Sequence, residues 1–304
     1  MRHVISIHDL SIEQIIDVLD RAEGMLTIAR GKAVTDRLKG KVLGSIFFEP
    51  STRTRLSFET AMNRLGGGVI GFAGTEATSV VKGETLADTI RMVSGCADAI
   101  VLRHPREGAA KLAIEFSDVP IINAGDGAGQ HPTQTLLDLF TIRQEMGRLE
   151  GLNISLVGDL RYGRTVHSLA YALAKFGNTI NLVAPEGLEM PEEVVNYLEG
   201  TGQFGLACHT PEEVISETDI LYVTRIQKER FPDPVEYKKV AGKYLIDPEL
   251  VARGPDNMIV MHPLPRINEI APEVDAMPQA KYFVQAFNGV PVRMALLSMV
   301  IGGD

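Results

Sequence analysis

Short apolar runs rich in β-branched and aromatic residues alternate along this chain with longer stretches in which apolar residues recur every three or four positions. The first pattern predicts strands and the second amphipathic helices. Strands are expected at 42–48, 69–72, 99–102, 120–123, 154–157, 180–183, 220–223 and 258–261, and helices at 11–28, 52–65, 85–94, 109–116, 132–146, 166–176, 192–199 and 292–300. Strictly alternating elements of this kind predict the α/β class, with parallel sheets flanked by helices.

The pattern also echoes itself. Asp98-Ala99-Ile100-Val101-Leu102-Arg103 and Asp219-Ile220-Leu221-Tyr222-Val223-Thr224-Arg225 both read as a strand ending in arginine. Phe47 to Arg53 and Val157 to Arg164 both run from a strand through a polar, arginine-bearing loop into a helix. Two similar domains are therefore expected, 1–149 and 150–287, with a site in the cleft between them. The helix from Pro132 would connect them, and a C-terminal helix in 288–304 would pack back onto the first domain.

Composition narrows the function. At 304 residues, 45% hydrophobic and 23% charged, the chain is long enough for two globular cores. A net charge of −9 argues against nucleic acid as a partner, since a phosphate backbone needs a basic surface, yet it permits a local basic pocket for a small anion. Cys96 and Cys208 have no zinc or redox spacing and are expected to be small buried residues in a reducing compartment. The N-terminus has no signal-peptide pattern, and no apolar stretch approaching the roughly 20 residues of a membrane span is evident. A cytoplasmic, soluble protein is the expectation.

Ligands of open parallel sheets bind beyond the carboxyl ends of the strands. Six polar segments fall at such ends: Ser51–Arg55, Arg103-His104-Pro105, Gly125–His131, Asp159–Arg164, Arg225-Ile226-Gln227 and His262-Pro263-Leu264-Pro265-Arg266. The first is the most telling. Ser51, Thr52, Arg53 and Thr54 open a helix, where free N–H groups and the positive dipole end already favour an anion. Arginines there are unfavourable unless an anion offsets them, which points to a bound phosphate.

Gly158 to Thr165 has the spacing of a nucleotide-binding loop but carries Arg164 where that loop needs lysine, so Arg164 is read as a fork for a carboxylate. Pro132 suits a first helical position, which places His131 at the cap. His131 then either simply caps the helix or, with its pKa lowered by the dipole, donates as a neutral imidazole to a carbonyl, with Gln134 on the same face. Gly74 to Gly83 reads as a mobile loop from which Ser79 and Lys82 could reach a ligand. The Pro-Leu-Pro corner at Leu264 and Pro265 is a plausible cis X–Pro site that would aim carbonyls at an amino group. No nucleophile–base pair and no metal-ligand cluster emerges. A site of cations, amides and hydroxyls works by positioning and by stabilising negative charge.

Jointly, Ser51-Thr52-Arg53-Thr54, Lys82-Gly83-Glu84-Thr85, Arg103-His104-Pro105, His131-Pro132-Thr133-Gln134, Arg164, Arg225-Ile226-Gln227 and His262-Pro263-Leu264-Pro265 resemble the motifs of the aspartate/ornithine carbamoyltransferase family, over almost the whole chain and in order. Within the family they look like the aspartate-using catalytic chains. Ornithine-using members typically carry His-Cys-Leu-Pro where Pro263 stands here. The resemblance implies condensation of carbamoyl phosphate with L-aspartate in pyrimidine synthesis, without cofactor or metal. Ser51, Thr52, Arg53, Thr54 and Arg103 would hold the phosphate, and Thr54, Arg103 and His131 would polarise the carbonyl. Gln134 and the Leu264 carbonyl would hold the carbamoyl amide, and Arg164, Arg225 and Gln227 would position aspartate. Ser79 and Lys82 would come from a neighbouring subunit of a homotrimer with shared sites. A separate regulatory chain, another amine acceptor, and a non-catalytic anion-binding protein of the same fold stay open. Asn268 stands where an aspartate is common in the family.

Overall fold

The computed structural model describes residues 1–76, 78–127, 129–226 and 244–302. Two compact units divide the chain, Met1–Phe140 with Phe287–Asp304, and Thr141–Ala286. Both divisions fall inside helices, the first in Pro132–Met146 and the second in Tyr282–Gly302.

The first unit opens with helix α1 (Ile12–Ala29), whose start is fixed by a capping box. Ser11 Oγ accepts from the Gln14 N–H, and the Gln14 side chain accepts from the Ser11 N–H. Strands β1 (Val42–Phe47), β2 (Gly68–Ala73), β3 (Ala99–His104) and β4 (Ile121–Asp126) form a parallel sheet in the order β2-β1-β3-β4. Helices α2 (Thr52–Arg64), α3 (Leu86–Ser94) and α4 (Ala109–Ile114) make the crossovers, and α5 (Pro132–Met146) follows β4. Central β1 and β3 are buried along most of their length and largely apolar, whereas edge strand β2 is mostly exposed. Ile46, Ile90, Ile100, Leu102, Ala110, Ala113 and Ile121 make one core cluster.

The second unit holds β5 (Asn153–Val157), α6 (Arg164–Lys175), β6 (Thr179–Val183), α7 (Glu192–Thr201), β7 (Phe204–Cys208), β8 (Ile220–Val223) and β9 (Ile259–Met261). Its sheet is also parallel, in the order β7-β6-β5-β8-β9. Its core includes Val157, Leu221, Val223, Met258, Val260, Val274 and Tyr282.

The two sheets repeat one plan, β2-β1-β3-β4 matching β6-β5-β8-β9. The repeat extends to single hydrogen bonds. The carboxylate of Asp98, just before β3, accepts from the Val42 N–H at 2.8 Å, and that of Asp219, just before β8, accepts from the Asn153 N–H at 2.9 Å. The sequence echo is thus a topological one.

Four expectations change. Strand β7 was not predicted, because its five residues include Gly205 and Ala207, which have little intrinsic preference for a strand, and it is an edge strand with three exposed residues in its middle. The C-terminal helix begins at Tyr282 rather than 292 and contains Pro291. Gly289 and Pro291 read locally as breakers, but the packed faces of a buried helix override that preference. At 21 residues and with a mean hydropathy of 1.4 in its most apolar window, this helix is long and apolar enough to cross a membrane, contrary to expectation, yet 67% of that window is buried inside the protein. Lastly, Cys208 is buried but Cys96 is exposed, in the turn between α3 and β3.

Candidate functional site

A polar segment follows each of β1, β3 and β4, which are adjacent in the first sheet, and each of β5, β8 and β9, adjacent in the second. All strands being parallel, each set of three lies on one edge. In each sheet the direction of winding reverses between the first two members of the set, β1 and β3, or β5 and β8. Such switch points open the crevice where α/β sheets bind ligands.

In the first unit the switch point carries the Ser51–Arg55 turn. Ser51 occupies the N-cap position of α2 in an extended conformation, and its side chain makes no capping bond. Ser51 is half-buried, Thr52 and Arg53 are exposed, and Thr54 is buried. The Arg53 guanidinium is pushed below its usual range, first by burial and then by the like charge of Arg103. Arg103 itself donates through Nη2 to Glu49 at 2.6 Å and through Nη1 to the Ala124 carbonyl at 3.1 Å. Its buried Nε has no hydrogen-bond partner among the described residues. Arg53, in the first turn of α2, and Arg103, near the end of β3, thus feel each other's charge with one carboxylate bonded to Arg103, an arrangement that an anion would offset. Arg55 turns away, pairing with Glu59 at 2.7 Å one turn along α2.

The β4–α5 loop is built on two buried residues that sequence reasoning missed. Asp126 accepts from the Gln130 N–H, the Gly108 N–H and Asn123 Nδ2 at 2.9–3.0 Å, while Asn123 Oδ1 accepts from the Gly125 N–H at 2.8 Å. This network shapes the loop that delivers His131. The Gln134 N–H donates to the His131 carbonyl at 2.9 Å, so His131 starts α5 as the Pro132 signal implied. His131 is buried at 4% exposure, and Gln134 is half-buried with its Nε2 donating to Asp138.

Ser79 and Lys82 sit on a single 3₁₀ turn, Ser79–Lys82, where an unstructured loop was expected. Both are exposed, and neither side chain has a hydrogen-bond or ion-pair partner among the described residues. Three further histidines are tied to the backbone: Nδ1 of His3 accepts from the Ile121 N–H, Nε2 of His167 lies 2.7 Å from the Leu160 carbonyl, and Nδ1 of His209 lies 2.9 Å from that of Ala184.

In the second unit, a pocket at the switch point is lined by Gly158, Thr224, Arg225, Tyr244, Asn268 and Glu269 among others. Gly158 has φ +118°, and a Cβ there would lie 2.3 Å from the Thr224 carbonyl oxygen, so only glycine lets the β5 and β8 ends approach this closely. Arg164 is the first residue of α6, and Arg225 stands two residues past β8. Gln227 lies outside the described residues.

Beyond β9, His262 organises the Pro-Leu-Pro turn. Its Nδ1 accepts from the Leu264 N–H at 2.7 Å and its Nε2 bonds Glu269 at 2.8 Å, which assigns the proton to Nε2. The other Glu269 oxygen takes the N–H groups of Ile267 and Asn268. The Leu264–Pro265 peptide is cis and Leu264 has φ +53°.

Two sheets of one plan, each presenting arginine at its switch point, define a two-domain α/β protein built to receive anionic ligands. The chain belongs to the aspartate/ornithine carbamoyltransferase family. The family's carbamoyl-P binding domain matches residues 2–144 and its Asp/Orn binding domain residues 150–300. Among relatives, the aspartate carbamoyltransferase catalytic subunit of Archaeoglobus fulgidus is 60% identical over 301 residues, 99% of each chain. Among solved structures, the catalytic subunit of M. jannaschii aspartate transcarbamoylase is 54% identical with a TM-score of 0.93, covering 100% of this chain and 99% of that one. Aspartate transcarbamoylase from Trypanosoma cruzi, solved with carbamoyl phosphate, is 41% identical with a TM-score of 0.93, covering 99% of this chain and 96% of that one.

Proposed function

We propose that this protein transfers the carbamoyl group of carbamoyl phosphate to the amine of L-aspartate, giving N-carbamoyl-L-aspartate and phosphate. The observation that carries the reading is that the charges of Arg53, at the start of α2, and Arg103, at the end of β3, act on each other, with the Glu49 carboxylate bonded to Arg103 alone. Ser51, Thr52, Arg53, Thr54 and Arg103 take the phosphate. His131 and Thr54 donate to the carbonyl oxygen, and Gln134 holds the carbamoyl amide. In the second unit Arg164, Arg225 and Gln227 take the carboxylates of aspartate, and the Leu264–Pro265 turn offers carbonyls to an amino group.

The chemistry follows from these roles. The neutral aspartate nitrogen attacks the carbonyl carbon, a C–N bond forms, the bond from that carbon to the bridging oxygen breaks, and phosphate departs with the electron pair and takes up the proton the amine loses. Negative charge builds first on the carbonyl oxygen and then on phosphate, where the donors stand. No covalent enzyme intermediate is needed. Crystals of the T. cruzi enzyme with carbamoyl phosphate and aspartate, and with N-(phosphonacetyl)-L-aspartic acid, support the same substrates.

The same reading includes a cytoplasmic homotrimer in pyrimidine biosynthesis, with Ser79 and Lys82 of one copy serving a neighbour. Their exposure on the chain and lack of partners support it. The relatives' designation as catalytic subunits supports association with further chains.

The test is phosphate release from carbamoyl phosphate with aspartate, ornithine or no acceptor. Release that requires aspartate is expected; release equal in its absence sinks the reading. Mixing inactive Lys82→Ala and Arg53→Ala proteins tests sharing of sites. Partial recovery is expected, and mixed oligomers that stay inactive refute it.

A further inference from the structure

Gln134 is half-buried while every other residue from His131 to Phe140 is buried, so one end of its side chain meets solvent and the other meets the protein. The inner end is resolved by chemistry. It lies 2.9 Å from Oδ1 of Asp138, one turn further along α5, and Asp138 is completely buried. An ionised carboxylate only accepts hydrogen bonds, so the group facing it must be the –NH2 end of the amide.

A cation is buried with Asp138, and the attraction between the two favours the carboxylate form. Arg293, on the C-terminal helix, is 3% exposed, donates to Ser57 and, at 3.4 Å, to Thr133, and lies over the Phe58 ring at 4.9 Å. Burial pulls its guanidinium down to about 9, and the charge of Asp138 opposes that pull. At neutral pH it is still a cation. Nothing in the carbamoyl chemistry needs a charge at this depth, and burying one is costly unless it is paired. Space is also reserved for it: a Cβ on Gly289 would meet Arg293 Nη1 at 2.2 Å.

We infer that Asp138 and Arg293 are positioning residues. The Asp138 carboxylate locks the Gln134 amide with Nε2 inward and Oε1 outward, so that the exposed end is an acceptor matched to the –NH2 group of a carbamoyl ligand. The inference rests on the assignment of Gln134 to the carbamoyl group. An unlocked glutamine flips between two faces and presents a donor as readily as an acceptor, which would lose the distinction between a carbamoyl ligand and one carrying oxygen in place of its nitrogen.

The experiment measures dissociation constants for carbamoyl phosphate and for inorganic phosphate, because both use the α2 turn and only one uses Gln134. Asp138→Asn is expected to weaken carbamoyl phosphate about tenfold and leave phosphate within about twofold. Gln134→Ala should show the same selective loss, and Asp138→Asn should add nothing in the Gln134→Ala background. Arg293→Gln should weaken carbamoyl phosphate selectively by severalfold; an unchanged preference removes Arg293 from the set. Equal weakening of both ligands by Asp138→Asn, or a loss that persists without Gln134, overturns the positioning role. If Gln134→Ala itself leaves the preference intact, its carbamoyl assignment falls and takes this inference with it; if Gln134→Ala is selective and Asp138→Asn is not, only the positioning fails. Should the variants not fold, ¹⁵N spectra of the wild-type glutamine side chains decide the point. Slowly exchanging Gln134 amide protons are expected, and fast exchange refutes the lock.

Discussion

Arg103 donates to Glu49 at 2.6 Å, joining two residues 54 positions apart across the switch point of the first sheet. On the proposed assignment of Arg103 to the phosphate, Glu49 would compete with the ligand for the same guanidinium. In Glu49→Gln the hydrogen bond can persist but the charge cannot. Inorganic phosphate is then expected to bind about three- to tenfold more tightly, a difference titration calorimetry reads directly. Unchanged or weaker binding would show that the pair serves only to orient Arg103.

The charge of Arg53 is disfavoured by partial desolvation of its guanidinium and by Arg103. Removing it should cost nothing in stability and much in catalysis. Arg53→Ala is expected to lower kcat by about 10²- to 10⁴-fold while thermal unfolding stays at the wild-type midpoint. Activity near normal would remove Arg53 from the phosphate site.

Asp126 satisfies three donors at once, two of them backbone. Asp126→Ala strands them in a buried place, at a cost of about 2–4 kcal/mol in urea unfolding. Because the same loop carries His131, activity should fall even at temperatures where the variant is folded. Stability within 0.5 kcal/mol of wild type (roughly the scatter of neutral surface changes) would contradict this account.

Gly158→Ala forces a side chain into a left-handed φ and onto the Thr224 carbonyl. The expected destabilisation is about 2–4 kcal/mol, with loss of aspartate binding ahead of phosphate binding, since the clash lies in the second unit. Equilibrium unfolding and separate binding titrations distinguish the two effects.

Burial is the main cause holding the pKa of His167 and His104 below the ordinary 6.5. The folded protein therefore binds these protons less tightly than the unfolded chain. Their contribution to stability is complete above 6.5 and is lost as pH falls below it. Glu269 is shifted down as well, with His262 and backbone donors favouring its charged form, so its contribution is present above 4.5 and lost at lower pH. The melting temperature should drop as pH is lowered from about 7 to 5.5, and His167→Gln, whose amide can still donate to Leu160, should flatten that slope. An identical slope in the variant would exclude His167 as its source.

Much of this protein is written locally in its sequence. The largely apolar runs of β1, β3 and β5, the helix start after Ser51, the Pro132 signal behind His131 and the arginines at the strand ends are all decided within a dozen residues, because periodicity and helix capping act at that range. The tertiary structure decided what lies between distant residues. Edge strand β7 exists only because β6 offers it a ladder, and Tyr282–Gly302 runs through Gly289 and Pro291 only because its faces are buried. Likewise the partners of Arg103, Asp126, Asp138 and Arg293 were illegible, since a lone charge in an apolar stretch says that it must be paired but not with what. Burial makes such a charge costly, and only the fold brings the group that offsets it.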